Sequence, residues 1–451
     1  MKKISMVILI AFVLAIVLPS SAYASPSGYV AGFQVQNLDT TTAAEISIAF
    51  YNQDGSVAAS PTDTIPAGQG KTYFPLTAVT DGFDGSVVIS SNVEIKAIAN
   101  ILTSDYAGGA SYGGFSSGAT AINLPLVMKN SYTISTWFNI QNTESTPANV
   151  AVSYAGTSCT EDIDVPAYSS VTLDQRTNSC LANGYVGAAS LSADKDIVAT
   201  VMQVKDNSKQ LLAYNGFSSA STNPVMPLVS SNVYNSGTGI QIQNTGGSST
   251  QVTITYTPSA GYPGAACTET KTIAAGQSQT FGFPQLPATC GTTGVGVTDA
   301  TNRGFVGSAK VTTNSTSQPL VAIVNQINRL TAQGAAYSAF NASEATSFVS
   351  LPLIMDRNYS IFTGLSVVNM GDSSTNVACT FTGTAYTVGA TLAPGAALTD
   401  VQLNKISNGY VGGATCIATG GDALIAGMVN EVTSGVPSTS DPLLVYEGFN
   451  Y

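Results

Sequence analysis

Hydrophobic and polar residues alternate with a period of two over many short segments of this chain. In residues 138–142, Phe138 and Ile140 share one face of an extended segment, and Asn139 and Gln141 share the other. Roughly seven such runs occur in every hundred residues, separated by clusters of Gly, Pro, Ser, Thr and Asn. No long stretch of the chain after residue 24 has a convincing helical period. The pattern therefore predicts antiparallel β-strands.

The same ordered landmarks occur four times along the chain. The first is an alternating strand that ends in asparagine, at Asn37, Asn142, Asn244 and Asn369, and these asparagines are interpreted as turn residues whose side chains bond back to the backbone. The second is Gly-aromatic-x-Gly, at residues 82–85, 184–187, 304–307 and 409–412. An apolar strand follows, and then Tyr-x-x-Phe, at Tyr112/Phe115, Tyr214/Phe217, Tyr337/Phe340 and Tyr446/Phe449. Apolar-Pro-apolar segments, expected to connect the repeats, stand at residues 124–126, 226–228 and 351–353.

These repeats predict an all-β chain of four tandem immunoglobulin-like antiparallel β-sandwich domains, arranged in a row after a cleaved signal peptide. The predicted segments are the signal peptide at 1–24, repeat 1 at 25–128, repeat 2 at 129–230, repeat 3 at 231–355 with an insertion at about 259–301, and repeat 4 at 356–451. A domain of this size can bury its own core, so residues 129–230 are expected to fold alone.

The N-terminal residues have the pattern of a secretory signal. Lys2 and Lys3 precede an apolar run at residues 6–18, and Ala22-Tyr23-Ala24 supplies small residues at a cleavage site before Ser25. No later stretch is apolar and long enough for a membrane helix. The mature chain is therefore predicted to be secreted and not inserted in a membrane.

The charge of the chain excludes several functions. Only 9% of the residues are charged, with 15 Lys and Arg against 26 Asp and Glu, so the net charge is −11. Nucleic-acid binding needs clustered basic residues, and none are present after the signal. Histidine is absent, which removes Ser-His-Asp catalysis and the usual zinc ligands. Because no group of acidic residues recurs among the repeats, we predict a protein that is not an enzyme.

Six cysteines fall as none, two, two and two among the repeats. An even number per repeat in an exported chain predicts three local disulfides, Cys159–Cys180, Cys267–Cys290 and Cys379–Cys416. Aligned on repeat 2, Cys379 and Cys416 occupy core positions on separate strands, which predicts a bond between the two sheets. We predict no cofactor. Turns at 54–55 and 81–85 have the oxygen ligands that calcium prefers, but Asp-Gly is also an ordinary turn sequence, and both interpretations remain open.

Trp137 is the one residue that departs from the landmark pattern. Its counterparts are Gly32, Gly239 and Gly364. The alternation along the strand places Trp137 on the polar face, opposite to the face of Phe138. An outward tryptophan could contact a sugar or a partner protein together with its neighbours Asn139 and Gln141, or it could fill the joint with a neighbouring repeat. The sequence leaves both placements open.

The landmarks resemble those of tandem β-sandwich repeat proteins of bacterial cell surfaces and extracellular matrices, over residues 28–451. That resemblance implies a secreted, cell-surface-associated protein that acts as a fibre or coat component or as an adhesin. The expected partners are further copies of the chain, or cell-surface glycans and proteins, held by repeated weak contacts. The alternative is an array of carbohydrate-binding modules, with Trp137 and the Tyr/Phe pairs as platforms.

Overall fold

The computed structural model describes residues 28–294, 296–297, 303–433, 437–441 and 443–450. These residues are nearly all β, with 60% in strands, several antiparallel sheets and no α-helix, which confirms the predicted all-β class. Two 3-10 turns are present, Ala288–Cys290 and Ala342–Glu344. No helix in the described part of the chain could cross a membrane. The predicted signal peptide, residues 1–24, lies outside the described residues.

Repeats 1 and 2 contain the first fifteen strands. Repeat 1 has β1 (Tyr29–Asn37), β2 (Ala44–Asn52), β3 (Val57–Ala59), β4 (Thr62–Ile65), β5 (Gly70–Tyr73), β6 (Gly85–Ser91), β7 (Ile95–Thr103) and β8 (Gly109–Gly113). Repeat 2 has β9 (Ala119–Lys129), β10 (Ile134–Asn142), β11 (Ala148–Tyr154), β12 (Thr160–Val165), β13 (Ser170–Asp174), β14 (Tyr185–Lys205) and β15 (Leu211–Asn215).

Repeats 3 and 4 contain the other seventeen. Repeat 3 has β16 (Val225–Val233), β17 (Ser236–Asn244), β18 (Thr250–Pro258), β19 (Cys267–Ile273), β20 (Ser278–Phe281), β21 (Phe305–Thr313), β22 (Leu320–Asn328) and β23 (Gly334–Ser338). Repeat 4 has β24 (Phe348–Asp356), β25 (Ile361–Asn369), β26 (Thr375–Phe381), β27 (Thr387–Leu392), β28 (Ala397–Val401), β29 (Tyr410–Thr419), β30 (Ile425–Thr433), β31 (Leu443–Glu447) and β32 (Phe449–Asn450).

Equivalent strands pair in the same way in all four repeats. The Asn strands (β1, β10, β17, β25) pair with the apolar strands (β7, the second half of β14, β22, β30), and these pair with the tyrosine strands (β8, β15, β23, β31). On the other side of the core, β2, β11, β18 and β26 pair with the glycine strands (β6, the first half of β14, β21, β29). The alternation seen in the sequence buries one face of each strand, as in β11 and β26.

The apolar-Pro-apolar segments are strands and not the expected connectors. We call β9, β16 and β24 the first strands, because each pairs with the glycine strand of the repeat that follows it in sequence. Leu124 and Leu351 are 0% exposed, so these residues belong to a core. A linker would run over the surface and leave them exposed. The predicted boundaries at 128, 230 and 355 therefore fall near the ends of these strands, and each assigns most of a first strand to the preceding repeat. The predicted insertion at 259–301 includes the ordinary strands β19 and β20, and the extra residues lie in the loops on either side of them.

Tyrosine hydroxyls hold the first strands in place. The Tyr214 hydroxyl donates to the Leu126 carbonyl at 2.6 Å and accepts from the Leu126 amide at 3.2 Å. The other two pairs of this kind are Tyr337 with Leu228 and Tyr446 with Leu353. The Tyr of Tyr-x-x-Phe therefore binds the residue after the proline of its own repeat's first strand.

The strand-ending asparagines bond back to the backbone, as the turn interpretation predicts. Asn142 is 0% exposed, and its side-chain nitrogen donates to the carbonyls of Thr146 and Val165. Asn37, Asn244 and Asn369 make the equivalent bonds.

The tyrosine strands bring the four repeats into a closed ring, and not the expected row. Strand β8 packs against β15, β15 against β23, β23 against β31, and β31 against β8. Each contact also extends a core into the next repeat: Ile323 lies in the core of repeat 2, Met428 in that of repeat 3, and Ile98 against that of repeat 4. These three residues occupy the same position on their apolar strands, so the joints are equivalent.

Asp441 lies at the centre of this ring and contacts the other three repeats. Its Oδ1 accepts from the Gly334 amide at 2.7 Å and its Oδ2 from the Leu211 amide at 2.9 Å. Its backbone bonds to the Ala107 carbonyl and the Gly109 amide. The side chain is 1% exposed, and burial raises the pKa of Asp441 to about 8. All four tyrosine strands therefore begin beside one residue.

All three cysteine pairs are bonded. The bonds join Cys159 to Cys180, Cys267 to Cys290 and Cys379 to Cys416, which are the pairs that the count per repeat predicts. The third bond differs from expectation in its placement. Cys379 and Cys416 face each other on the neighbouring strands β26 and β29 of one sheet, with Cα atoms 4.0 Å apart, so this bond does not connect two sheets.

Candidate functional site

One end of every repeat lies on the same side of the ring. In repeat 1 the Asn strand begins at Tyr29, opposite the end of the apolar strand at Thr103, and the tyrosine strand begins nearby at Gly109. We call this the lower end of a repeat. Because all four tyrosine strands begin beside Asp441, the four lower ends together form one lower face.

Three exposed tyrosines project from hairpin turns on the lower face. Each first strand joins its Asn strand through a two-residue turn that begins with tyrosine. Tyr132 is 85% exposed, Tyr234 is 62% exposed and Tyr359 is 90% exposed. The residue pairs that close these turns are Ser131 with Ile134, Val233 with Ser236, and Asn358 with Ile361.

The backbone of these turns is unfavourable for tyrosine. Tyr132, Tyr234 and Tyr359 have φ values of 50°, 51° and 48°, and each following residue also has a positive φ. Two successive positive φ values define a type I′ turn, in which Asn-Gly is the preferred sequence. A bulky residue in this region costs on the order of 1 kcal/mol or more. The fold alone would favour asparagine or glycine, so the fold does not account for three exposed tyrosines there.

Further exposed apolar side chains lie at the lower ends of repeats 1 and 3. Phe74 is 43% exposed and its ring lies edge-on to that of Tyr106, with centroids 6.2 Å apart. Phe283 is the equivalent residue of repeat 3 and is 51% exposed. Leu330, in the turn between β22 and β23, is 72% exposed. The lower face therefore combines exposed aromatic side chains with charged residues such as Asp206 and Arg329, whose amides bond to the turns of Tyr132 and Tyr234.

The structure places Trp137 in the joint between repeats 1 and 2, the second of the two placements that the sequence leaves open. Its side chain is 4% exposed and packs with Ala110, Met202 and Leu211. Its ring centroid lies 6.0 Å from that of Tyr29, and its indole nitrogen has no hydrogen-bond partner among the described residues. A sugar in solvent cannot stack on this ring while the joint is closed.

The two other predicted contact residues lie next to Trp137 on the same strand. Asn139 and Gln141 are half-buried, and the Asn139 side chain accepts a hydrogen bond from the Thr172 hydroxyl at 2.6 Å. The structure does not bring either residue to the lower face.

The acidic turns considered for calcium are used within the fold. The Asp54 carboxylate accepts from the amide and hydroxyl of Ser56, and these bonds hold the pKa of Asp54 below its usual value. The Asp84 carboxylate accepts from the Gln53 side chain at 2.7 Å. In the part of the chain that the structure describes, no three His, Cys, Asp or Glu side chains come together as metal ligands.

Comparisons with known proteins assign no family. No protein-family model matches the chain, and no curated protein matches it. A solved structure to which the chain is similar is the crystal structure of Thermotoga maritima 1070. The likeness has 14% identity and a TM-score of 0.20, and covers 22% of this chain and 94% of that one. It carries no argument about function.

The three turn tyrosines were missed in the sequence although a signal was present. Each stands ten residues before its strand-ending asparagine, whereas repeat 1 has Ser27 at that position. Only the positive φ values and the exposure distinguish these tyrosines from the buried tyrosines of the same repeats.

Proposed function

We propose that this protein is a secreted, non-enzymatic structural or adhesive component of a cell surface or extracellular matrix. The observation that carries the proposal is the set of three exposed tyrosines, Tyr132, Tyr234 and Tyr359, on equivalent turns of one face. Three disulfides are typical of an oxidising compartment outside the cytoplasm.

The ring supports this function by holding the tyrosine turns at fixed spacing. Buried joints between repeats restrict their relative movement. A partner that contacts one tyrosine turn therefore lies close to the next turn, and no further loss of conformational freedom of the chain is needed for the second contact. Several weak contacts then act as one stronger contact, because each later contact is intramolecular. The proposed partners are a second copy of the chain, or proteins and glycans of a cell surface.

The carbohydrate-binding alternative draws on the same face. Of the platforms first considered for it, Trp137 and the tyrosines Tyr214, Tyr337 and Tyr446 are buried within the fold. The turn tyrosines are open to solvent, and aromatic rings of this kind stack on the apolar faces of sugars.

A triple variant tests the proposal. Replacing Tyr132, Tyr234 and Tyr359 with asparagine suits the type I′ backbone, so the melting temperature should stay constant or rise. Self-assembly seen by electron microscopy, or adhesion to cells, should be lost. Ile417→Asn is the matched control, because Ile417 is 46% exposed but lies seven residues along β29 from the lower end.

The outcomes separate the two functions. Loss of assembly or cell adhesion in the triple variant, with the control unchanged, supports the structural or adhesive role. Loss of binding to immobilised glycans, with no assembly in either protein, supports the carbohydrate-binding role. Unchanged assembly and adhesion in the triple variant would refute the assignment of the lower face.

A further inference from the structure

Repeat 1 differs from the other repeats at one edge of its glycine strand. In repeats 2 to 4 the first strand lies between the glycine strand and the Phe of Tyr-x-x-Phe, as shown by the pairs Asn123–Phe217, Val225–Phe340 and Ser350–Phe449. In repeat 1 the glycine strand β6 pairs only with β2, and Phe115 has no strand partner among the described residues. The place of a first strand in repeat 1 is therefore not taken by any described strand.

Core residues next to this place are more exposed in repeat 1 than elsewhere. Val87 and Ile89 on β6 are half-buried, whereas the equivalent Ala189 and Leu191 are 0% and 2% exposed. All nine residues of β7 are half-buried, but Ile197, Ala199 and Val201 on the equivalent strand are at most 1% exposed. We call the surface lined by Val87, Ile89, Ala97, Ala99, Tyr112 and Phe115 the repeat 1 groove.

A matched set of glycines shows the same difference. A Cβ at Gly216 would meet Ile122 and Leu124 of its first strand, and one at Gly448 would meet Leu351 and Val349 of its own. A Cβ at the equivalent Gly114 would meet only Ala97. Among these three glycines, Gly114 alone has no atoms of a described first strand around it.

Tyr112 indicates what kind of molecule the groove accepts. Its counterparts Tyr214, Tyr337 and Tyr446 each donate to the carbonyl and accept from the amide of one first-strand residue. The Tyr112 hydroxyl makes no hydrogen bond to any described residue. An extended polypeptide supplies both the donor and the acceptor that this hydroxyl lacks, and it can pair with the edge of β6 that no described strand occupies.

We propose that repeat 1 accepts a β-strand from another polypeptide, inserted between β6 and Phe115 with apolar residues opposite Val87 and Ile89. The first strands show the required chemistry, since Leu124, Met226 and Leu351 occupy that place opposite alanines. The groove lining contains no charged residue, so the inserted segment is apolar at alternate positions.

The donor is a different polypeptide and not a second copy of this chain. The first strands of the chain are already buried in their own repeats, with Leu124, Met226 and Leu351 at 0% exposure. A second copy could donate one of them only by opening one of its own sandwiches. Residues 1–24, which precede β1, are predicted to be removed with the signal peptide. A terminal segment of another protein needs no opening of a sandwich. The choice of an extracellular structural partner rests on the proposed function, whereas the groove itself does not.

Peptide binding tests the groove directly. The full chain is exported with its own leader, its N-terminus is recorded by mass spectrometry, and a fluorescent peptide of residues 119–129 is titrated against it. Because Val87 is larger than the alanines at that position, a Leu124→Ala peptide is tested in parallel. The control peptide carries Leu124→Asp and Leu126→Asp, and should bind at least about tenfold more weakly.

Two matched variants locate the binding site. Tyr112→Phe removes only the hydroxyl and should weaken peptide binding about fivefold. Tyr214→Phe is the control, because the Tyr214 hydroxyl is already bonded to Leu126, and it should leave the affinity unchanged. For the register, Ile89→Cys should form a disulfide with an Ile122→Cys peptide but not with an Asn123→Cys peptide, since Ile122 lies opposite the equivalent Leu191.

Saturable one-to-one binding with this pattern supports the proposal. Failure of both apolar peptides to bind would overturn it. Equal loss of peptide affinity in Tyr112→Phe and Tyr214→Phe would also overturn it, because it would mean that the peptide displaces β9 in repeat 2. If the chain forms a dimer and Ile89→Asp abolishes that dimer, a second copy occupies the groove. This result would overturn the choice of a different polypeptide as the donor. Adhesion through the turn tyrosines is measured separately, so failure of the groove and failure of the proposed function give different results.

Discussion

Repeat 2 should fold alone only if its fragment includes β9. The sequence predicts that residues 129–230 fold independently, but this fragment removes almost the whole first strand. Ile122, Leu124 and Leu126 are 2%, 0% and 6% exposed, and burying such side chains stabilises a fold by about 1.5–3 kcal/mol each. Their removal would therefore cost about 5–9 kcal/mol. A domain is stable by only about 5–15 kcal/mol in total, so the shorter fragment should be unfolded or nearly so.

Circular dichroism during urea denaturation measures this difference. The fragment of residues 119–222 should give a cooperative transition, and that of residues 129–230 should not. A 119–222 fragment with Leu124→Asp and Leu126→Asp is the control for chain length, and it should also fail to fold. Adding a peptide of residues 119–129 to the shorter fragment should restore the transition. Equal transitions in the fragments with and without β9 would refute the assignment of β9 to this core.

Three further changes test other parts of the structure. Trp137→Gly should lower the free energy of unfolding by about 3–5 kcal/mol, as expected for a buried aromatic. The tryptophan fluorescence of the native chain should be blue-shifted and not quenched by acrylamide. Red-shifted fluorescence that acrylamide quenches would contradict the closed joint. Burial raises the pKa of Glu431 from 4.5 to about 7, so its contribution to stability is present below pH 4.5 and is lost as the pH rises through 7. Thermal melts across this range should show the decline, and Glu431→Gln should make it shallower, because buried Asp441 and Glu447 also have raised pKa values and contribute to it. An equal slope in both proteins would exclude a contribution from Glu431. Asn142→Ala should cost about 1–3 kcal/mol, because it leaves the carbonyls of two buried segments without a donor, and a melting temperature equal to that of the native chain would disprove this anchoring.

The joints between repeats show that the alternation of the sequence predicts the face of a strand on which a residue lies, but not whether that face is exposed. Alternation correctly puts Trp137 on the face opposite Phe138, but that face is covered by Tyr29 and Ala110 of repeat 1. The covering residues are far away in the chain, and nothing in the local pattern of repeat 2 encodes them. The same applies to Asp441, whose neighbours Leu211 and Gly334 belong to other repeats.

The sequence by itself determined the all-β class, the order of landmarks in four repeats, the pairing of the six cysteines and the anchoring of the strand-ending asparagines. These features depend on short-range periodicity and on turn chemistry, which neighbouring residues specify. Only the tertiary structure decided that the repeats close into a ring, that Leu124 and its counterparts belong to first strands, and that Tyr132 projects from a strained turn. Each of these depends on which apolar surfaces meet, and burial between distant segments is set by the packing of the whole chain rather than by the period of any one strand.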